Sequence, residues 1–248
     1  MDAEILLTKL EMILRENVAD NFPQYWDENH ITLSILKEFG RALNMVKIDD
    51  FGRKMKIEWN AFKLKGKNET KFGDVAILVN VVHYDGDRME GVAFLEAKKR
   101  YPRGVEFTSI NQDQVSRILK NAPRSMALLY DYDGVTQFAD IEGKSKRWEW
   151  FEWKRCTCCV TVPMNILSVL NKKDITLYKF SLPFSYQLVF RYFQGFDLEF
   201  EKQPVAIAKG FSREMGTPTY LVIASLSQGR HEPDKSIEYN SEIYAALE

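Results

Sequence analysis

Hydrophobic residues in the first part of the chain recur every three or four positions. Leu6, Leu10 and Leu14 repeat at this spacing within residues 3–18, with charged residues between them, which is typical of an amphipathic helix. The same period returns over residues 31–44. The sequence therefore predicts two amphipathic helices before the first strand.

The period of the pattern changes to two from residue 54. Met55, Ile57 and Trp59 alternate with polar residues, as in a strand with one buried face. Two denser runs of apolar and β-branched residues follow at 74–83 and 91–97, and such runs indicate well-buried strands. The short polar segment between them predicts a hairpin at the centre of a sheet.

A third helix and a further strand complete the first half. Residues 109–121 return to helical spacing, and residues 126–130 are a short apolar run. The order from residue 31 is therefore helix, three strands, helix, strand. We expect the α/β (α+β) class, in which a central mixed sheet is flanked by helices and the last strand pairs in parallel through a helical crossover.

The second half has a less regular pattern. Residues 146–154 alternate aromatic and charged residues, which fits either a strand or the exposed end of a helix. Additional C-terminal strands are expected at 160–162, 187–192 and 220–224. No repeat or low-complexity linker divides the sequence. We therefore expect one domain over residues 1–248, with an N-terminal helix at 1–30, a core at 31–130 and a C-terminal elaboration at 131–248.

Composition indicates an ordinary globular protein. Hydrophobic residues make up 45% and charged residues 28% of the chain, a balance that argues against intrinsic disorder. The 34 Lys and Arg residues are offset by 35 Asp and Glu residues, so the formal net charge is -1. Such a chain has no overall field that attracts nucleic acid. Any site for a polyanion must therefore be local.

The N-terminal residues and the cysteines bear on location. Acidic residues precede and interrupt the first apolar run, unlike the pattern of a signal peptide. No run reaches the roughly 18 apolar residues that a membrane helix needs. Cys156, Cys158 and Cys159 are too close together for a framework of disulfides. We therefore expect a cytoplasmic protein without a membrane partner.

Three polar residues lie at the ends of the predicted hairpin. Asp74 opens its first buried strand, and Glu96 and Lys98 close the second. If residues 85–87 form a three-residue loop, Asp74 lies opposite Lys98, and Glu96 is its diagonal neighbour. All three side chains then converge on one face of the sheet. A two-residue loop would separate them.

This constellation has a definite chemistry. Two neighbouring carboxylates repel each other unless a divalent cation lies between them. Ligands that are all oxygen favour Mg²⁺ or Mn²⁺. The adjacent lysine can orient an attacking water and stabilise the charge that builds on a phosphate. The combination predicts phosphodiester hydrolysis.

Two short segments carry a resemblance to a known family. Gly73-Asp74-Val-Ala-Ile-Leu and Ala93-Phe-Leu-Glu96-Ala-Lys98 resemble the motif of the PD-(D/E)xK nuclease superfamily, which includes many restriction endonucleases. Here Gly73 stands where the motif usually has proline.

The resemblance covers residues 31–130 and implies a restriction endonuclease-like core of order αβββαβ. It also implies that Asp74, Glu96 and the carbonyl of Ala97 bind the metal. Lys98 would then be the catalytic cation.

The helices on either side of the motif supply further candidates. Many members of the superfamily carry an additional metal-linked acid in the helix before the sheet, which maps to Glu38. The helix after the motif often presents a polar residue to the site. Gln114 is the candidate by position, with Gln112 and Arg117 as alternatives.

Basic and aromatic residues near these segments are candidates for binding nucleic acid. Lys71, Lys99, Arg100 and Arg103 could line a phosphate-binding groove, although solvated surface charge is an equal alternative. In the second half, an aromatic cluster could stack on unpaired bases, or it could pack in the core or in a dimer contact. Its members are Trp148, Trp150 and Trp153.

We therefore expect a Mg²⁺- or Mn²⁺-dependent endonuclease that cleaves DNA, in restriction or anti-phage defence. The C-terminal elaboration would serve recognition or homodimer formation. Two alternatives stay open, because the core chemistry does not read the sugar and a fold does not by itself imply activity. One is an RNA-directed nuclease, and the other is a catalytically inactive module that binds nucleic acid or protein.

Overall fold

The computed structural model describes residues 1–50, 53–66, 71–108, 110–135, 157–212 and 216–247. The predictions for residues 146–154, with the three tryptophans there, and for Cys156 lie outside these ranges. Cys158 and Cys159 are buried.

Three of the α-helices follow a residue whose side chain caps their first turn. Asp2, Asp27 and Asn111 each accept a backbone hydrogen bond at the start of a helix, as side chains at this position commonly do. The second helix begins three residues before its predicted start. In the described part of the chain the α-helices are α1 (Ala3–Val18), α2 (Glu28–Leu43), α3 (Gln112–Asn121), α4 (Met164–Leu170) and α5 (Lys202–Ala208).

A mixed sheet lies between these helices. Nine strands of the described residues form it: β1 (Val46–Asp50), β2 (Arg53–Leu64), β3 (Val75–Val82), β4 (Arg88–Lys99), β5 (Met126–Tyr130), β6 (Cys159–Pro163), β7 (Leu182–Pro183), β8 (Tyr220–Gln228) and β9 (Tyr244–Ala246). Their order is β1-β2-β8-β3-β4-β5-β6-β7, and β9 also pairs with β2. The α/β class and the flanked mixed sheet are thus confirmed.

The pairing of the central strands positions the polar residues of the hairpin. β3 and β4 are antiparallel, and β5 lies parallel to β4 after the crossover through α3, as predicted. β8 comes from the C-terminal half and lies between β2 and β3, parallel to β3. The C-terminal half therefore contributes a central strand of the sheet.

Alternate residues of the strands face two different cores. Val75, Ile77 and Leu95 pack on one face with α1 and α2. Ala76 and Phe94 point to the other face, which is covered in part by α5. The side chains of α3 and α4 continue this second face over β5. The period of two thus separates a face against the N-terminal helices from a face against the later helices.

The strand predicted at 187–192 is wrong. The chain there forms a helical segment, with an α turn at Phe184–Tyr186, a π turn at Gln187–Arg191 and a 3₁₀ turn at Tyr192–Gln194. Leu188, Val189, Tyr192 and Phe193 are all buried, and residues four apart share one face of a helix but not of a strand. A further 3₁₀ helix spans Ile175–Phe180. None of the helices in the described part of the chain is long and apolar enough to cross a bilayer.

Candidate functional site

The register of the β3–β4 hairpin decides which polar residues meet. Val82 pairs with Arg88, and Val75 pairs with Leu95. The N–H of His83 also donates to the carbonyl of Asp87 at 2.8 Å, so the loop covers residues 84–86. It has three residues, but it lies one residue before the loop considered at 85–87. Continuing the register places Asp74 opposite Glu96 and not opposite Lys98. Because the register differs by two residues, every side chain keeps its predicted face.

Gly73 fixes the point at which the chain enters β3. Its φ is +105°, and a Cβ at this position would lie 2.6 Å from the carbonyl oxygen of Leu95. Proline holds φ near -65°, so the usual proline of the motif cannot adopt this backbone. The close approach brings the N–H of Asp74 to the same Leu95 oxygen, at 2.8 Å.

The side chains of the motif converge as a bonded cluster. Lys98 Nζ donates to Glu96 Oε1 at 2.6 Å, and Gln114 Nε2 donates to the same oxygen at 2.6 Å. The N–H of Ala97 donates to Asp74 Oδ2 at 3.0 Å. Glu96 and Lys98 are buried, with 4% and 7% of their surfaces exposed, while Asp74 is partly exposed. The site therefore opens to solvent on the Asp74 side.

One oxygen of this cluster stands out. Glu96 Oε2 is buried and accepts no hydrogen bond from the described residues. A buried carboxylate oxygen without a donor is costly unless a cation or water satisfies it. The oxygen belongs to the carboxylate opposite Asp74, where a bound cation would contact both acids.

Burial and charge shift the pKa values of the cluster. Burial, followed by the negative charge of Glu96, raises the pKa of Asp74 to about 7, although Lys98 and the Ala97 N–H oppose the shift. Burial alone would lower the pKa of Lys98, but Glu96, with smaller contributions from Glu28 and Asp74, raises it above its usual value. Lys98 is therefore a cation at neutral pH.

Glu28 is a site residue that the sequence analysis missed. It is the first residue of α2, and its Oε1 accepts from the Lys99 N–H at 3.0 Å and from the Thr108 hydroxyl. Its charge contributes to the pKa shifts of both Asp74 and Lys98. The capping pattern Asp27-Glu28, before an apolar run, was the signal that could have placed the helix start here.

Glu38 lies away from this cluster. It is ten residues beyond Glu28 on α2, about 15 Å along the helix. Its carboxylate pairs with Arg41 at the surface. Glu28, and not Glu38, is therefore the acid of α2 that lies near the motif.

The four candidate phosphate-binding residues divide into two pairs. Lys99 donates to the carbonyl of Trp26, and Arg100 binds Asp131 through two contacts of 3.0 and 3.1 Å. Both cations are thus engaged within the protein. Lys71 and Arg103 are exposed, and they retain the predicted role as candidates.

The alternatives on α3 are also separated by their contacts. Gln112 donates to the carbonyl of Leu167, and Arg117 is exposed. Of the three α3 candidates, Gln114 is the one bonded to Glu96.

Comparison with known proteins adds no further assignment. No family model, curated protein or solved structure matches this chain significantly. The interpretation of the site therefore depends on its own side chains and on the resemblance of the short motif.

The residues present can be compared with the needs of a divalent cation. Within the described ranges, no group of three or more His, Cys, Asp or Glu side chains is arranged to hold a metal. Mg²⁺ needs fewer, because it is commonly bound by one or two carboxylates together with waters and substrate phosphates. Asp74 and Glu96 supply two carboxylates, and the carbonyl of Ala97 leaves β4 on the same edge as the N–H that binds Asp74. This all-oxygen set fits Mg²⁺ or Mn²⁺.

Proposed function

We propose that this protein is a divalent-metal-dependent endonuclease that hydrolyses phosphodiester bonds in DNA. The observation that carries the proposal is the Glu96 carboxylate. Lys98 and Gln114 hold one of its oxygens, and the other is buried without a hydrogen bond from any described residue. A carboxylate fixed in this way is prepared for a cation.

The metal would be held by Asp74, Glu96 and the carbonyl of Ala97. When bound there, Mg²⁺ or Mn²⁺ supplies a Lewis acid for a phosphate oxygen and for a water. The raised pKa of Asp74, caused first by burial and then by Glu96, supports this assignment, since a nearby cation removes the repulsion that raises it.

Lys98 performs a separate part of the chemistry. Because its pKa is raised above the usual value, it acts as a charged donor and not as a base at neutral pH. Its Nζ can hold a water or a phosphate oxygen beside the site while Glu96 fixes its direction. Gln114 fixes Glu96 from the α3 side. These residues therefore orient the reactants before the phosphorus–oxygen bond breaks.

The test is cleavage of supercoiled plasmid by the purified protein in Mn²⁺, with EDTA and Lys98→Met alongside. We expect nicked or linear product from the wild type alone. Methionine keeps the length of the side chain and removes its charge. Cleavage by Lys98→Met at the wild-type rate would contradict the proposal. A matched RNA in the same assay distinguishes a DNA nuclease from an RNA nuclease. A role in restriction or anti-phage defence stays a prediction.

Gln114→Ala is expected to lower the cleavage rate by about tenfold, as for other residues that orient a metal ligand. Gln112→Ala is the matched control, since Gln112 bonds Leu167 on the same helix and not Glu96. The cleavage rates of the two variants are measured side by side on one oligonucleotide. Equal losses in the two variants would show that α3 acts only through packing.

Glu28→Gln is expected to lower the rate by about tenfold as well, because it weakens the acceptor that holds the Lys99 N–H and Thr108 beside the site. Glu38→Gln, on the same helix, is expected to cleave at the wild-type rate. The two variants are compared by single-turnover cleavage. A loss in Glu38→Gln and none in Glu28→Gln would restore the original assignment.

A further inference from the structure

The residues before and at the start of α2 cross the end of the sheet where the candidate site lies. Trp26 Nε1 donates to the carbonyl of Arg100, the residue after β4, at 2.8 Å. The carbonyl of Asn29 accepts from the Tyr220 hydroxyl, at the start of β8, at 3.1 Å. β3 lies between β4 and β8. Residues 25–30 therefore pass over the end of β3 that begins after Asp74.

This crossing segment is tied down along its length. Glu28 accepts from the Lys99 N–H at 3.0 Å, and the backbone N–H of Tyr220 donates to the carbonyl of Asp74 at 2.9 Å. One side of the segment is thus bonded to the strand that carries Glu96 and Lys98. The other side is bonded to the neighbour of Asp74. Contacts on both sides therefore fix the segment at this end of the sheet.

The segment presents two rings to solvent. Tyr25 and His30, here called the aromatic pair, stack with their ring centroids 5.3 Å apart and their planes 24° apart. Tyr25 is 59% exposed, and His30 is exposed as well. An exposed tyrosine loses the hydrophobic gain of burial. A stacked, exposed and anchored pair at this end of the sheet is suited to receive a further flat ring.

Charges of both signs lie at this segment. Asp27 and Glu28 belong to it, and Lys99 Nζ donates to the carbonyl of Trp26. Further cations lie on the β2 side of the site, where Lys63 Nζ is 5.8 Å from the ring centre of Tyr220, and at the exposed Lys71, three residues before Asp74. The exposed rings, and not the charge of the segment, therefore favour a flat base as the group that binds here.

We propose that the aromatic pair stacks on an unpaired base next to the scissile phosphate. The preferred substrate is then DNA with unpaired nucleotides, such as a single strand or an overhang. The face of a base within a duplex is covered by its neighbours and is reached only after unstacking, whereas an unpaired base stacks readily on an aromatic side chain. The choice of DNA as the substrate rests on the proposed nuclease function. The geometry of the aromatic pair does not depend on it.

The test uses a short single strand that contains 2-aminopurine and a blunt duplex of the same sequence, both with the full chain in Ca²⁺. Tyr25→Ala is expected to weaken binding of the single strand by about tenfold and to reduce the quenching of 2-aminopurine. Tyr25→Phe keeps the ring and should bind as the wild type does. Tyr84→Ala is the matched control, since Tyr84 is 53% exposed in the hairpin loop at the other end of β3. Binding of the duplex should be the same in all variants.

The inference is overturned if Tyr25→Ala binds the single strand as tightly as the wild type, if the duplex is weakened equally, or if the wild type does not bind the single strand. The nuclease proposal is tested separately, by cleavage of the same oligonucleotides in Mn²⁺. Loss of quenching in Tyr25→Ala without any cleavage by the wild type would support the stacking site and reject the nuclease. Cleavage that depends on Lys98 but not on Tyr25 would support the nuclease and reject the stacking site.

Discussion

Asp74→Asn is expected to lower the rate of Mn²⁺-dependent cleavage by more than about 100-fold and, at the same time, to stabilise the metal-free protein at pH 8. The first effect follows from the loss of a charged ligand. The second follows from the pKa of Asp74, which burial and then Glu96 raise to about 7 from an ordinary value of 3.8. The folded state binds this proton more tightly than the unfolded state does. The free energy of unfolding therefore falls as the pH rises from about 4 to 7.

Asparagine removes this penalty, which is fully present above pH 7. We expect the melting temperature of the metal-free variant to exceed that of the wild type by roughly 4 °C at pH 8 and to match it at pH 4. Scanning calorimetry with EDTA measures both values.

Glu11→Gln is the control for stability alone. Burial raises the pKa of Glu11 to about 7, against hydrogen bonds from Ser185 and Thr157, but Glu11 lies in the core on α1. The Glu11→Gln variant should be more stable than the wild type at pH 8 and should cleave at the wild-type rate. A variant Asp74→Asn that is less stable than the wild type at pH 8 would mean that Asp74 serves the fold and not a metal.

Gly73→Ala is expected to destabilise the fold by about 3 kcal/mol and to abolish Mn²⁺ binding. Alanine at φ +105° is strained, and its Cβ would meet the Leu95 oxygen at 2.6 Å, so the backbone must move. The residue displaced by this movement is Asp74. Urea denaturation measures the free energy, and titration calorimetry measures the metal.

Gly66→Ala separates backbone strain from the clash. Gly66 has a nearly equal φ of +103°, but a Cβ there would meet none of the described residues within 4 Å. Gly66→Ala should lower the free energy of unfolding by about 1 kcal/mol and leave Mn²⁺ binding unchanged. If the two variants lose the same stability and both bind Mn²⁺, the approach of Gly73 to β4 has no part in forming the site.

The convergence of Asp74, Glu96 and Lys98 was predictable because side chains alternate along a strand. Any hairpin loop with an odd number of residues leaves these three on one face, so the one-residue error in loop position did not matter. The register itself was not predictable, since nothing in the local sequence distinguishes a loop at 85–87 from the observed loop at 84–86.

Features that depend on distant parts of the chain were missed. β8 pairs with β3 across more than a hundred residues, and no local pattern predicts which strands become neighbours. The ion pair of Arg100 likewise depends on a distant residue, Asp131, which follows β5. Glu28 is different, because its capping pattern was present in the sequence. Tertiary partners, and not local propensity, decide which charged residues remain available at the site.

The position of β8 also orders events during synthesis. β3 and β4 can pair as soon as the hairpin has emerged, but the outer edge of β3 stays open until residues 220–228 arrive to pair with it. Tyr220 bonds the carbonyl of Asp74 and, through its hydroxyl, the carbonyl of Asn29. The two sides of the candidate site are therefore joined late. A ribosome-bound chain that lacks these residues carries every residue of the motif, but the contacts of Tyr220 with Asp74 and Asn29 can form only after β8 has been synthesised.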